Sequence, residues 1–587
     1  MNRKLKKIVL STLVCVMGVL PIVENSYVKA NAATDVTVNL SSQQQTIKGF
    51  GGMNHPVWTS DLTSSQRETA FGNGTNQLGL SVLRIHVDEN KNNWYKELNT
   101  AKAAIAKGAL VFATPWNPPS YMTESITKNG KQTKRLKKSS YAEYARYLNE
   151  FVQYMKSNGV NLYAISFQNE PDYGYDWTWW EADEIYDFTK NYANLITGCK
   201  VMSAESFSYN KNYYNKILND SSALNNIDII GTHFYGTSIA NMAYPLFKQK
   251  ASNKELWMTE VYVPNSDANS ADRWPEAIDV SYNMHNALAN GFQEYTWWYI
   301  RRSYGLIKED GNISKRGCSF AQYSKFVRPG YVKVDATVNP DTNVYVTAFK
   351  GDNKAVIVAI NKSSSDITKK FNVNNGTITS VDRYRTSSSE NLAKTSNLNL
   401  SGNGFYANLP AQSVSTFVCS LSGSSTNNTN NTTTVPNNAV SLADGWYYIK
   451  NVNAQKYLQV TNNYGKGGQN VELRTGTGVQ GQKWYLKNIG NGYVTLKSAL
   501  GEYMLDVASA KNENGTNIQI YNAHSGDAQQ FMLKTSSTNG AYIVATKCSN
   551  LTKVLDDYNF GKSDGTNVCQ WAYGGNSNQQ WVFEAIK

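Results

Sequence analysis

The chain is predicted to be multidomain: a (β/α)8 TIM barrel with an attached β-sandwich, followed by a β-trefoil. Three observations predict this. Eight short apolar runs alternate with amphipathic stretches over residues 45–328. Short alternating strands with Asn, Gly and Ser turns then run to residue 421, and three related segments recur over residues 439–587. At 587 residues the chain is too long for a single compact core.

Ahead of these domains, Arg3, Lys4, Lys6 and Lys7 precede an apolar run from Ile8 to Val23, and Ala30-Asn31-Ala32 offers small residues for cleavage. Residues 1–32 therefore read as a secretory signal peptide, with a secreted, extracellular chain beginning near Ala33. No later segment is apolar enough to span a bilayer, so no membrane partner is expected. The formal charge of +12 falls to +8 without this leader, which holds five basic groups and one acid. Nucleic acid is not the expected partner, because the basic residues form no stripe with interleaved aromatics. An acidic polysaccharide suits the charge better. Cys15 leaves with the leader, and Cys199, Cys318, Cys419, Cys548 and Cys569 are scattered and odd in number. They give no disulfide framework and no metal spacing; Cys548 and Cys569 either pair or stay buried as free thiols.

Residues 33–46 include a strand-like run, Val36 to Leu40, that precedes the barrel and is expected to join the sandwich. Barrel strands are expected at Ile47 to Gly51, Val82 to Val87, Leu110 to Pro115, Leu162 to Asn169, Lys200 to Ala204, Ile227 to Phe234, Leu256 to Glu260 and Tyr295 to Ile300. Helices lie between them. In Ser140 to Ser157, for example, Tyr141, Tyr144, Tyr147, Leu148 and Phe151 recur at helical spacing, as a packing face does. Eight such units close into a barrel whose active sites lie at the C-terminal ends of the strands.

The sandwich, residues 329–421, is marked by runs such as Val344 to Phe349, Ala355 to Ile360 and Ser413 to Val418. Residues 422–438 are nearly all Ser, Thr and Asn and form a linker with too few apolar groups to fold. In the trefoil, Gln459, Asp506 and Asp556 each precede a Gln (Gln482, Gln529, Gln579) by 23 positions. Trp484, Phe531 and Trp581 close the same units and read as core. The residue 15 positions after the first of each set is Arg474, Tyr521 or Trp571. An Asp that accepts sugar hydroxyls beside an aromatic face makes Asp506 with Tyr521, and Asp556 with Trp571, two candidate sugar sites. The first repeat reads as degenerate.

Two carboxylates carry the chemistry. Glu170, in Ile165-Ser-Phe-Gln-Asn-Glu-Pro171, and Glu260, in Leu256-Trp-Met-Thr-Glu-Val261, each close an apolar run, at the ends of strands four and seven. A glycosidase needs two such acids on a rigid scaffold, one to protonate the departing oxygen and one to attack the anomeric carbon. Asn169 beside Glu170 can donate to a sugar hydroxyl. Arg84, His86 and His233 sit in strand-like runs facing this site, and His86 suits packing as well as function. Gly51-Gly52 lacks the rest of a dinucleotide signature, and neither metal nor cofactor is expected.

These residues resemble the bacterial glucuronoxylanases of glycoside hydrolase family thirty, subfamily eight. The resemblance covers Ala33 to Leu421. It rests on Gly49-Phe-Gly-Gly-Met-Asn-His-Pro-Val-Trp58, Thr114-Pro-Trp-Asn-Pro-Pro119, Gln168-Asn-Glu-Pro-Asp172, Trp257-Met-Thr-Glu-Val261 and Trp298-Tyr-Ile-Arg-Arg-Ser-Tyr304, followed by Ser314-Lys-Arg-Gly317 and Phe326-Val-Arg-Pro-Gly330. It implies Glu170 as acid/base and Glu260 as nucleophile of a retaining endo-1,4-β-xylanase. It also implies that Arg302, with Trp298, Tyr304, Tyr262 and Ser270 around it, reads the glucuronic acid branch of plant cell wall xylan. A guanidinium fork holds a carboxylate by two parallel hydrogen bonds. Trp58, Trp116, Tyr173, Tyr235 and Trp298 would offer faces to xylose rings. Arg301 either shares this role or pairs with an internal acid. The last domain similarly resembles a ricin-type carbohydrate-binding module of family thirteen, and nothing demands more than a monomer.

Two rivals differ in what they need. An enzyme of the same fold cutting unbranched xylan, arabinoxylan or another β-glycan would not need Arg302. A non-catalytic sugar-binding adhesin would not need both acids.

Overall fold

The computed structural model describes residues 34–422 and 440–586 apart from 491, 525, 537 and 539. The leader, and the linker beyond Ser422, fall outside the described residues. The chain divides into two units, the first holding the barrel and a β-rich domain and the second the trefoil.

Eight parallel strands close the barrel: Gly49–Met53, Val82–Val87, Leu110–Pro115, Ala164–Ser166, Lys200–Met202, Ile229–His233, Glu255–Glu260 and Glu294–Tyr299. All eight expected strands exist, but the fourth stops at Ser166, so Glu170 lies in the loop beyond it rather than on its last residue. Val82, Phe112, Ala164, Met202, Ile229 and Trp257 fill one layer of the interior. Alternation then places Arg84, Thr114, Ser166 and His233 inward, one layer nearer the strand ends. The helix Tyr141–Ser157 buries its tyrosine stripe, and the hydroxyl of Tyr144 donates to the Phe167 carbonyl at 3.0 Å.

Strand seven would not aim Glu260 inward if it were regular. Thr232 pairs with Met258 but His233 pairs with Glu260, so Thr259 is an extra residue and the register shifts there. Because successive side chains face opposite ways, this bulge moves Glu260 into the inward phase set by Trp257.

The expected sandwich is one continuous ladder of nine strands rather than two separate sheets. Val36–Thr46 lies within it, antiparallel to Val332–Ala336 and parallel to Ile367–Asn374. Two register shifts along Val36–Thr46 bend the sheet. The bend brings Phe371 and Phe405, on neighbouring strands, against Phe417 with ring centroids 4.9 and 5.0 Å away.

The second unit is a trefoil of short antiparallel strands, closed by Gly445–Asn451 pairing with Trp581–Ala585. Trp484, Phe531 and Trp581 are fully buried in its core. Each repeat is pinned by the Gln found at the 23-residue spacing: Gln482 donates to Gln459 at 2.8 Å, Gln529 to Asp506 at 3.1 Å and Gln579 to Asp556 at 2.8 Å. All five described cysteines are free, which leaves Cys548 and Cys569 as thiols.

The first two barrel strands meet too closely for a side chain at Gly51, where a Cβ would sit 2.2 Å from the Val82 carbonyl oxygen. Gly51→Ala is expected to destabilise the barrel by about 1–3 kcal/mol, the usual cost of overpacking. Chemical denaturation of the two chains would measure it.

Candidate active site

Arg84 stands at the centre of the strand ends. Fully buried, it pairs with Glu260, with Glu205 at 3.2 Å and with the Asn169 amide oxygen at 2.8 Å. Its Nε donates to Thr114 at 3.2 Å, and Trp116 covers it with the ring centroid 4.8 Å from Cζ. Burial opposes its charge, but Glu205, Glu260 and Glu170 together raise its pKa.

Glu205 was not singled out in the sequence. It follows the fifth strand and accepts from Thr114 at 2.7 Å and from Ser166 at 2.5 Å. Burial works against its charge, yet Arg84, His233 and Ser166 hold it down at about 2. The only local signal was an acid directly after an apolar strand, as for Glu170.

Glu170 adopts a left-handed backbone with φ of 40°. Its N–H donates to the Glu205 carbonyl at 2.8 Å, and its own carbonyl accepts from Tyr173 N–H at 3.0 Å and Trp177 Nε1 at 3.2 Å. These bonds fix a conformation that L-residues disfavour. Its carboxyl meets His233 Nδ1 at 2.8 Å. Burial and the nearby Glu260 push the Glu170 pKa up to about 7, against the opposing pull of His233 and Arg84. Burial lowers His233, but Glu260, Glu170 and Glu205 outweigh it and raise the imidazole to about 9.

The charges distinguish the carboxyls. Two cations, Arg84 and protonated His233, face three carboxyls, so the cluster is neutral when one carboxyl keeps its proton. Glu205 and Glu260 pair with Arg84, which leaves Glu170 as the carboxyl that keeps a proton. Glu260 also accepts from the Tyr235 hydroxyl at 2.8 Å, which fixes its orientation. Glu170, His233 and Glu260 each put one potential ligand atom within 4.8 Å of the others. A divalent cation would have to displace the imidazole proton beside Arg84, so proton chemistry suits the cluster better. One oxygen from each glutamate lies within that span, so the two carboxyls approach closely, as a retaining pair requires. Were Glu260 esterified, its charge would no longer raise the Glu170 pKa, which would then fall, as a residue that switches from acid to base requires.

Around the pair, Trp58 is half exposed and stacks on buried His55, with centroids 4.0 Å apart. Tyr173 is exposed and stacks on Phe207 at 4.6 Å, which in turn stacks on Tyr235 at 5.0 Å. Trp116, expected to offer a sugar face, is buried beneath Trp58 and serves as the cover of Arg84. Trp298 is mostly buried against Tyr299 at 4.2 Å. His86 packs edge-on against Trp116 at 5.2 Å, and burial and Arg84 hold it neutral with a pKa of about 3.

Arg301 is tied to Ser60 at 2.7 Å and to Glu309 at 3.4 Å. Arg302, by contrast, makes no ion pair among the described residues. It lies over the Tyr299 ring at 5.4 Å and beside Tyr304, whose pKa it lowers against the upward push of burial. Tyr262 packs between Tyr304 at 5.6 Å and Tyr235 at 4.9 Å, which joins Arg302 to the nucleophile. Ser270 is buried with its hydroxyl donating to the Asp267 carbonyl at 2.7 Å, and the next residue, Ala271, bonds to Ser303.

In the trefoil, Tyr521 and Trp571 are exposed beside the buried Asp506 and Asp556. Asp556 accepts from Asn578 and Gln579 through the same oxygen, Oδ2.

The chain is similar to known proteins. The chain is 60% identical over 417 residues, 71% of its length and 99% of the relative, to "Glucuronoxylanase XynC" of Bacillus subtilis (strain 168). Residues 55–191 match the glycosyl hydrolase family 30 TIM-barrel domain. The chain belongs to glycoside hydrolase family 30. A family 30 endoxylanase from Clostridium papyrosolvens C71 superposes with a TM-score of 0.62 at 47% identity, covering 66% of this chain and 100% of that one. The subfamily 8 xylanase Xyn30A from Clostridium acetobutylicum gives 0.59 at 38% identity, covering 66% and 99%. Residues 434–521 and 482–571 match the ricin-type β-trefoil lectin domain.

For this family 30 barrel, kcat/KM is expected to fall as pH rises through about 7, where Glu170 loses the proton it must donate. His233→Gln removes groups that lower the Glu170 pKa, so a pH–rate profile should show this midpoint moving to higher pH. Glu170→Gln should cost roughly 10²–10⁴ in kcat.

Proposed function

We propose that the protein is a secreted, retaining endo-β-1,4-xylanase that hydrolyses glucuronoxylan and uses the (methyl)glucuronic acid branch as its recognition handle. The observation that carries the specificity is Arg302: a half-buried guanidinium with no acidic partner among the described residues, flanked by Tyr299 and Tyr304 and joined through Tyr262 to the nucleophile's neighbour Tyr235. A carboxylate on the substrate supplies the missing partner. Likeness to a glucuronoxylanase along nearly that relative's whole length supports the same reading.

The trefoil keeps the enzyme on plant cell wall polysaccharide. Tethering raises the local substrate concentration without altering the catalytic step. Export rests on the basic, apolar and small-residue pattern of residues 1–32. No helix among the described residues is long and apolar enough to cross a membrane.

Product masses from glucuronoxylan and from xylan stripped of uronate test the specificity. The wild-type chain should release oligomers carrying one acidic branch each and barely cut the stripped polymer. Arg302→Ala should lose at least tenfold in rate, about 1.4 kcal/mol of transition-state binding. Equal cleavage of both polymers, with a silent substitution, would leave a family 30 xylanase without uronate recognition.

A further inference from the structure

The threefold repeat allows the trefoil pockets to be compared position by position. In the first repeat Tyr457 faces Arg474 and Gln459 faces Glu472. In the second, Met504 faces Tyr521 and Asp506 faces Gln519. In the third, Val554 faces Trp571 and Asp556 faces Cys569. Directly opposed residues share a face of the sheet, as do residues two apart along a strand. The second and third pockets therefore carry the acid on the first strand and the ring on the second. In the first pocket both have crossed over. Glu472 is the acid and Tyr457 the ring, while the amide of Gln459 and the guanidinium of Arg474 occupy the places they left.

This exchange replaces the lone acid of the other pockets with an Arg474–Glu472 ion pair while keeping the frame. Gln482 donates to Gln459 Oε1 as its counterparts donate to Asp506 and Asp556. The NH₂ group of Gln459 then presents a donor where the other pockets present an acceptor. Glu472, buried, accepts from Arg474 Nε at 2.7 Å. The two terminal nitrogens of Arg474 have no partner among the described residues. A guanidinium held by Nε presents those two as parallel donors, the geometry that a carboxylate matches. Lys450 adds a second positive charge 5.6 Å over the Tyr457 ring, whose hydroxyl donates to Glu584 at 2.9 Å, while Lys456 is engaged by Asp564 at 2.7 Å.

We propose that the first trefoil pocket is a working site for a sugar bearing a carboxylate, the uronic acid branch of the polysaccharide, while the second and third take neutral sugar. The identity of the polymer rests on the glucuronoxylan reading above. The test uses the full chain carrying Glu170→Gln and Arg302→Ala, so that neither hydrolysis nor the barrel's own cation contributes. Binding is measured by depletion on insoluble glucuronoxylan and on the same polymer with its uronic carboxyls reduced to alcohols. A preference of roughly threefold or more in Kd for the acidic polymer is expected. Arg474→Ala, or Gln459→Asp, which restores the acid found in the other repeats, should abolish that preference without weakening binding to the reduced polymer. A chain with no preference, or one whose preference survives both substitutions, overturns the proposal. Cleavage specificity is read separately from product masses, so either reading can fail while the other stands.

Discussion

Everything at the strand ends depends on one buried cation. Arg84 has no access to water, and a charge in that position persists only where opposite charges and hydrogen-bond acceptors surround it. Glu205 and Glu260 supply the charge, Asn169 and Thr114 the remaining acceptors, and Trp116 the cover. Breaking such a pair by removing one partner typically costs about 3–5 kcal/mol. The same bonds that satisfy Arg84 therefore fix the nucleophile, turn the Asn169 amide and set the charge against which Glu170 keeps its proton.

A regular barrel would not bring the two acids together. Glu260 faces inward because Thr259 is an extra residue in its strand, and Glu170 reaches His233 from a left-handed turn four residues past the end of its own. Both of these departures from regular geometry lie at one of the two paired carboxyls. The scaffold's regularity supplies rigidity, and local irregularity supplies aim.

This division also explains what was legible in the sequence. The eight barrel strands, the tyrosine-bearing helix and the trefoil spacing follow from apolar periodicity and repetition, and all are present. Glu170 and Glu260 stood out through their flanking residues. Glu205 did not, because its importance comes from Arg84, Thr114 and Ser166 on three other strands. Trp116 read as a sugar face, since nothing local revealed that Trp58 lies over it. The first trefoil pocket read as degenerate because a fixed spacing along the chain cannot register an exchange between paired strands. The continuity of the nine-stranded sheet depends on bulges in Val36–Thr46 that no alternation pattern encodes.

That same strand bears on how the chain assembles. Val36 pairs with Phe371 and Val38 with Ala336, so neither neighbour exists until the whole barrel has been synthesised. Its alternating Val36, Val38 and Leu40 wait with both edges open. Such a segment is a ready template for pairing with other chains. Pairings this distant in sequence also form slowly, because loop closure must precede any reward. The first strand to be made is thus among the last to be satisfied, and a chain interrupted before residue 332 carries an apolar ribbon for which neither native partner strand yet exists.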